Sequence, residues 1–430
     1  MLNPLAQELN NALAGTTAAS LLSDLGTRIF FPRGIISQGG EAKIYGKTAN
    51  ATIGTTMING KPAILEAIHK FAPDLTAGEL VSYAPTAGNP ELRALWKEMV
   101  YAKNPSLAGK GISLPVVVPG LTAGISYLAD LFIDENHPLL VADPSWDNYS
   151  LIVETRRNAK LHYFNMFKNG GFDIDSFRGA LKKEAESGQV RVLLNFPQNP
   201  SGYSPTKKEA AEIVKAVKEV ADSGAKVLVW DDDAYFGLNY EDDIYPQSLF
   251  AELADISENV LAVKIDGPTK EDFAWGFRTG FLTFGSKGMT DEQYDALVKK
   301  LMGLIRSSVS CSATPSQSIV LKALADPKIE EEKKAFRDVL EERYKAVRKF
   351  VESHKSSVLE PLPFNSGYFM SFNVKGVDAE VLRKKILEDK AIGTISIDSK
   401  TLRVAFSSVD VDKIETVYSA IYEVAESLKD

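Results

Sequence analysis

The chain has 430 residues, 44% apolar and 25% charged, with 49 Lys+Arg against 57 Asp+Glu for a formal net charge of −8. That balance excludes a disordered, collagenous or coiled-coil chain, and the length predicts two or three domains at roughly 150 residues each. A mildly acidic sequence with no basic block is not expected to bind nucleic acid, and no stretch approaches the ~20 apolar residues of a membrane span.

No Lys or Arg occurs between Met1-Leu2-Asn3-Pro4 and Arg28, so the basic start of a signal peptide is missing. The single cysteine, Cys311, has no internal disulfide partner and points to a reducing cytoplasm. His69, His137, His162 and His354 are scattered without metal-ligand spacing, and no metal is expected.

Residues 1–60 read as short elements and loops. From 61 to 285, short apolar runs (115–118, 139–142, 190–194, 226–230 and 260–263) alternate with amphipathic segments such as 207–221. Asn89-Pro90-Glu91 marks a helix start, with a capping residue before a proline at the first helical position. Near-continuous apolar strands alternating with helices predict an α/β layer, a mostly parallel sheet covered on both faces. After Pro315 the pattern changes to a charged helix (329–354), an alternating strand (367–372), a helix (379–388), a strand (402–406) and a final helix (411–428). That is a smaller α+β layer, and residues 1–60 are expected to pack on it. The predicted domains are 61–320, and 1–60 together with 321–430.

Ligands of open parallel sheets sit beyond the carboxyl ends of the strands. Gly120-Leu121-Thr122-Ala123-Gly124 follows the first run. It is either a plain helix start or an anion site, with free N–H groups and the Thr122 hydroxyl as donors. Trp146, in Asp143-Pro144-Ser145-Trp146, either stacks on a planar ring or fills core. Asn195-Phe196-Pro197-Gln198-Asn199-Pro200-Ser201-Gly202 is a rigid loop that presents Asn199, or a turn with no ligand. In Asp231-Asp232-Asp233-Ala234-Tyr235 three acids repel unless a cation binds, so a solvated loop and a magnesium site are both open; Tyr235 adds a phenol. Lys270, in Gly267-Pro268-Thr269-Lys270, precedes Arg278 by eight residues. A lysine beside a second cation has a depressed pKa and is the better nucleophile, although surface Lys and Arg are common. In order, these pieces suit a ring-bearing phosphate, and pyridoxal phosphate has that inventory.

With these motifs in this order over residues 50–406, the sequence resembles the class I aminotransferases, the fold type I pyridoxal-phosphate enzymes that include aspartate aminotransferase. The resemblance implies a large domain with a mostly parallel seven-stranded sheet between helices, plus a smaller α+β domain. It implies Lys270 as the Schiff-base lysine and Arg278 as the guanidinium on the phosphate, beside Gly120, Leu121 and Thr122. Asp232 would pair with the pyridinium nitrogen, Tyr235 and Asn199 with the phenolic oxygen, and Trp146 with the ring face. Arg403, in Leu402-Arg403-Val404-Ala405-Phe406, matches the fork that grips a substrate α-carboxylate, a role Asn199 and Trp146 would share. Tyr83, in Tyr83-Ala84-Pro85, matches a tyrosine that reaches the neighbouring subunit's phosphate, which implies a homodimer with shared sites.

Asn50-Ala51-Thr52-Ile53-Gly54 resembles a substrate-covering segment. Ile305-Arg306-Ser307-Ser308 resembles a stretch whose arginine reads a distal carboxylate across the dimer, while an ordinary basic residue at a helix C-terminus is the alternative for Arg306. Two departures stand out. Gly267 occupies the place of a usual phosphate-binding Ser, so either one phosphate hydrogen bond is lost or Thr269 replaces it. Tyr149 replaces a usual His, which is expected to remove a group behind the aspartate.

The implied activity is ping-pong transfer of an amino group from an amino acid, aspartate or glutamate favoured and aromatic ones admissible, to a 2-oxo acid. A β-lyase or decarboxylase on the same scaffold, a ligand-sensing protein, and a hydrolase with metal on Asp231, Asp232 and Asp233 are the rivals.

Overall fold

Four of the five apolar runs continue into longer strands, because burial on both faces holds them in a sheet; the first, 115–118, does not. The computed structural model describes residues 2–13, 27–28, 35–52, 54–70 and 74–429. Its large sheet comprises β1 (Val116–Val118), β2 (Leu139–Asp143), β3 (Leu161–Asn165), β4 (Gln189–Asn195), β5 (Lys226–Asp232), β6 (Val260–Asp266) and β7 (Gly280–Gly285). The spatial order is β1-β7-β6-β5-β4-β2-β3. Neighbours from β6 to β3 run parallel, and β7 alone is antiparallel to both β6 and β1. β3 and β7 escape the pattern of apolar runs. β3 (Leu-His-Tyr-Phe-Asn) is an edge strand in which only Leu161 and Phe164 are buried, and β7 is bracketed by the glycines Gly280 and Gly285.

The period of two sorts the side chains into two apolar layers. Val116, Val118, Leu139, Val141, Leu228 and Trp230 face one layer, while Val117, Leu140, Val192, Val227 and Val229 face the other. Helices cover both: α1 (Pro90–Lys103), α2 (Leu121–Phe132), α3 (Ile174–Ala185), α4 (Lys207–Asp222), α5 (Asp291–Ser308) and α6 (Thr314–Leu324). At the start of α4, Thr206 Oγ1 accepts from the Glu209 N–H at 3.2 Å, and the Glu209 carboxylate accepts from the Thr206 N–H at 2.8 Å. This reciprocal cap satisfies donors that a helix end otherwise leaves open.

Beyond α7 (Ile329–Ser353), β8 (Leu359–Pro361), β9 (Phe369–Val374), β10 (Ile395–Ser396) and β11 (Thr401–Ala405) form an antiparallel sheet ordered β8-β9-β11-β10. It packs with α8 (Ala379–Lys390) and α9 (Ile414–Ser427). The early chain joins this layer: Ala49–Asn50 pairs in parallel with Ile392–Gly393, and the Ala405 N–H donates to the Ala51 carbonyl at 2.8 Å. Gln38 Nε2 donates to the Ser396 carbonyl at 3.1 Å. Among the described residues no helix is long and apolar enough to cross a membrane.

The loop after β4 is fastened to the chain leading into β9. The Gly202 carbonyl accepts from the Asn365 and Ser366 N–H groups at 2.9 and 2.8 Å. Gly202 has φ +76°, and a Cβ there would lie 1.9 Å from the Phe369 carbonyl oxygen. Gly224, with φ +99°, has nothing within 4 Å of its Cβ direction. Gly224→Ala should therefore cost only the left-handed penalty of about 1–2 kcal/mol. Gly202→Ala adds a backbone clash and should lower the thermal unfolding midpoint distinctly further; equal midpoints for the two variants would contradict this packing.

Candidate active site

Beyond the carboxyl end of β5 lies a cavity of about 140 Å³. Eight residues singled out from the sequence line it: Leu121, Thr122, Trp146, Asn199, Asp232, Tyr235, Lys270 and Arg278. They come from the start of α2, the loops after β2, β4 and β5, the short helix Pro268–Glu271 and the turn before β7.

The three acids do not share one environment. Asp231 accepts from Ser248 Oγ at 2.7 Å and the Phe250 N–H at 2.5 Å, and Asp233 pairs with buried Lys264. Asp232 alone reaches the cavity. The repulsion expected of this run is thus relieved by a lysine and by backbone and hydroxyl donors. Among the described residues no group of three or more His, Cys, Asp or Glu side chains is arranged to hold a metal. The hydrolase reading needs all three carboxylates on one ion, and Asp232 points away from Asp231 and Asp233, which are taken by protein donors.

Asp232 is held from behind. Tyr149 donates its hydroxyl to Oδ2 at 2.6 Å, and the Ala234 N–H donates to Oδ1 at 3.2 Å. Burial raises the Asp232 pKa, and the Tyr149 hydrogen bond and the Lys270 charge oppose that rise. Burial beside this carboxylate pushes the Tyr149 phenol well above its ordinary range, so it stays a donor. The expectation that Tyr149 removes a group behind the aspartate is therefore wrong: the phenol is long enough to supply the hydrogen bond itself. A tyrosine next to a cavity-facing tryptophan was the available signal, and the two rings meet edge to face at 5.3 Å.

Another part of the cavity wall carries open donors. No side chain caps the start of α2, leaving its first N–H groups open. Gly120 has φ +91°, and a Cβ there would lie 2.4 Å from Arg278 Nη2, so only glycine lets the guanidinium rest at this helix end. The usual serine has no room at Gly267, where a Cβ would meet the Thr279 carbonyl oxygen at 2.9 Å and Gly280 Cα at 3.0 Å. Two residues on, Thr269 is buried, lines the cavity, and its Oγ1 has no hydrogen-bond partner. A buried hydroxyl left this way is costly unless a ligand completes it.

Lys270 Nζ lies 4.8 Å from the centre of the Tyr235 ring. Burial is the main cause that lowers its pKa to about 8, aided by Arg278 and opposed by Asp232. Burial raises the Tyr235 phenol, against the pull of Arg403.

Arg403 stands in β11, 2% exposed. Its Nη1 donates to Asn199 Oδ1 at 2.9 Å and its Nη2 to the Thr52 carbonyl at 3.1 Å, while its buried Nε has no partner. The guanidinium lies 4.2 Å from the Phe369 ring centre. Phe369 has no counterpart among the residues singled out from the sequence, and Thr52 is named there only as part of the 50–54 segment. Gly54 stands alongside, its Cβ direction 3.2 Å from Phe369 Cζ and 3.7 Å from the Tyr235 hydroxyl; Ile53 lies outside the described residues.

Tyr83 and Arg306 do not line this chain's own cavity. Tyr83 is 91% exposed, and Arg306 Nη1 donates to Ser310 Oγ at the end of α5.

Residues 55–421 match the family described as Aminotransferase class I and II. A tyrosine aminotransferase of Dictyostelium discoideum is 22% identical over 423 residues, covering 92% of this chain and 94% of its own. A mitochondrial aspartate aminotransferase of Saccharomyces cerevisiae is 28% identical over 194 residues, 41% of each chain. The crystal structure of an aminotransferase from Anaerococcus prevotii superposes with a TM-score of 0.81 at 24% identity, covering 93% of this chain and 97% of that one. The family match takes in most of the chain, including every cavity residue described above, and the structural likeness gives the same α/β fold. The chain belongs to the class I and II aminotransferases.

Proposed function

We propose that this aminotransferase holds pyridoxal 5'-phosphate in the cavity and moves an amino group from an amino acid to a 2-oxo acid by a ping-pong route. The observation that carries the reading is one cavity with an amine of lowered pKa at its wall, a buried carboxylate on one side, and an open helix end, a guanidinium and an unpartnered hydroxyl on the other. These groups fit the cofactor's aldehyde, pyridine nitrogen and phosphate. When bound, the cofactor supplies a carbonyl for the substrate's amine and a protonated ring that takes up electron density as the Cα proton leaves.

Thr122, Thr269, Arg278 and the N–H groups after Gly120 and Leu121 hold the phosphate. Asp232, whose charged form the Tyr149 hydrogen bond and the Lys270 charge favour against its burial, would pair with the ring nitrogen and hold its proton. Asn199 and Tyr235 hydrogen-bond the phenolic oxygen, and Trp146 covers the ring. Arg403 presents its fork to the substrate α-carboxylate, with Gly54 leaving space for the substrate. The neutral Nζ of Lys270 takes the Cα proton and holds it for return.

Aspartate or glutamate is favoured as donor, and aromatic amino acids fit the same reading, since the relatives include enzymes named for aspartate and for tyrosine. The exposed apolar row Leu80 (51%), Val81 (76%) and Tyr83 (91%) supports a homodimer in which Tyr83 and Arg306 reach the partner's site. We take residues 61–320 as the cofactor domain and 1–60 with 321–430 as the smaller one, and place the enzyme in the cytoplasm. A β-lyase or decarboxylase would use the same cofactor residues, and product analysis separates them: an oxo acid plus an aminated acceptor, against ammonia or carbon dioxide.

Lys270→Ala should abolish transfer with the fold intact, and normal turnover by that variant without added amine would overturn the assignment. Lys270 attacks only as the neutral amine. Covalent capture of pyridoxal phosphate by the apoenzyme should therefore rise with pH and level off above about 8. An ordinary lysine would keep gaining reactivity past pH ~10. Tyr149→Phe leaves Asp232 Oδ2 without its phenol donor and should weaken cofactor binding roughly tenfold or more, measured by fluorescence titration.

A further inference from the structure

The cavity accounts for one face of the segment around Lys270. On the other side of that segment lies a largely buried cluster of charges, built from Lys264, Lys333, Asp233, Asp266, Glu271 and Asp272. Lys333, in the first turns of α7, is 2% exposed, and its Nζ lies 2.8 Å from Asp272 Oδ1, 3.1 Å from Glu330 Oε1 and 3.8 Å from Glu271 Oε1. Glu271 also pairs with Lys103, the last residue of α1. Lys264 of β6 pairs with Asp233 and lies 3.5 Å from Asp266 Oδ2, and Trp96 of α1 donates to Asp266 Oδ1 at 3.0 Å. Lys103, Lys264 and Lys333 thus reach, from three elements, the acids that flank Lys270 in sequence.

Buried ion pairs add little net stability over apolar packing of the same volume, and their best use is to impose one geometry. The segment around Lys270 needs such a constraint. Its helix, Pro268–Glu271, has four residues, too few to hold itself. Asp272 closes it through an N–H bond to the Pro268 carbonyl at 3.1 Å, and Phe273 follows with φ +54°. Among the described residues Lys333 is the cation within ion-pair distance of Asp272. The start of α7 is itself fixed, since Glu332 Oε2 accepts from the Ala67 N–H at 3.1 Å and Lys70 pairs with Asp326 just before the helix.

We infer that Lys333 is a positioning residue for the reaction: through Asp272 and Glu271 it holds the turn that aims Lys270 into the cavity. The inference rests on the assignment of Lys270 as the reacting amine. It touches neither substrate nor cofactor.

The test uses the full-length apoenzyme. When Lys270 Nζ condenses with the aldehyde of pyridoxal phosphate, a C=N bond forms and one water leaves; borohydride then delivers hydride to that carbon, and the product is located by peptide mapping. Lys333→Met should slow this capture about tenfold or more, since small misplacements of a reacting group carry large rate costs. Its affinity for pyridoxamine phosphate, which has no aldehyde, should fall by less than the capture rate, because of the ring and phosphate partners only Thr269 lies in the turn, while Thr122, Arg278, Asp232 and Trp146 stand outside it. Lys333→Arg should restore the capture rate. Should Lys333→Met not fold, Asp272→Asn should show the same selective loss. Capture at the wild-type rate, or equal loss of capture and pyridoxamine phosphate affinity, would overturn the positioning role and leave the proposed function standing. Failure of the wild-type protein to capture pyridoxal phosphate at Lys270 would instead overturn the proposed function.

Discussion

Three consecutive carboxylates at the end of a buried strand cannot share one environment, and the surrounding structure is organised by that constraint. Alternation along the chain separates Asp232 from Asp231 and Asp233. Asp231 is taken by Ser248 and the Phe250 N–H, and Asp233 by Lys264. With its neighbours so occupied, Asp232 remains for the cavity, where Tyr149 and Lys270 offset the cost of its burial. That carboxylate in turn keeps the Lys270 pKa from falling further. Local repulsion is thus converted into one available charge at the reacting end of the sheet.

Arg403 has a comparable role between layers. It belongs to the small sheet, yet it donates to Asn199 in the loop after β4 and to the Thr52 carbonyl of the early chain. Gly202 brings that same loop against Phe369. Three distant stretches of sequence therefore meet at one guanidinium whose Nε is still unpartnered. A group with donors to spare in a buried place is suited to accept a carboxylate.

The parts legible in the sequence are those with a strong local signal. Five apolar runs gave five of the seven strands of the large sheet, and the motifs after them gave eight cavity residues. β3 was not legible because an edge strand is apolar at only some positions, and β7 because flanking glycines read as a loop. Lys333 behind the site, Phe369, and the contact of the Thr52 carbonyl with Arg403 were not legible, since each depends on residues far apart in the chain. Phe369 is simply a strand residue until Arg403 lies over its ring.

The two departures from the family pattern show why geometry must accompany a motif. At Gly267 a side chain is excluded by the backbone of Thr279 and Gly280, and the missing hydroxyl reappears on Thr269, buried and unpartnered on the cavity wall. At Tyr149 a histidine is exchanged for a group with a different reach and acidity, yet it still donates to Asp232 at 2.6 Å. Unlike histidine, a phenol whose pKa is driven upward by burial has no charge change near neutral pH. The carboxylate beneath the cavity is therefore held by a partner that stays neutral, and titration near neutrality is left to Lys270. Under the proposed function, donors toward the cavity are kept in place while the residues that supply them change.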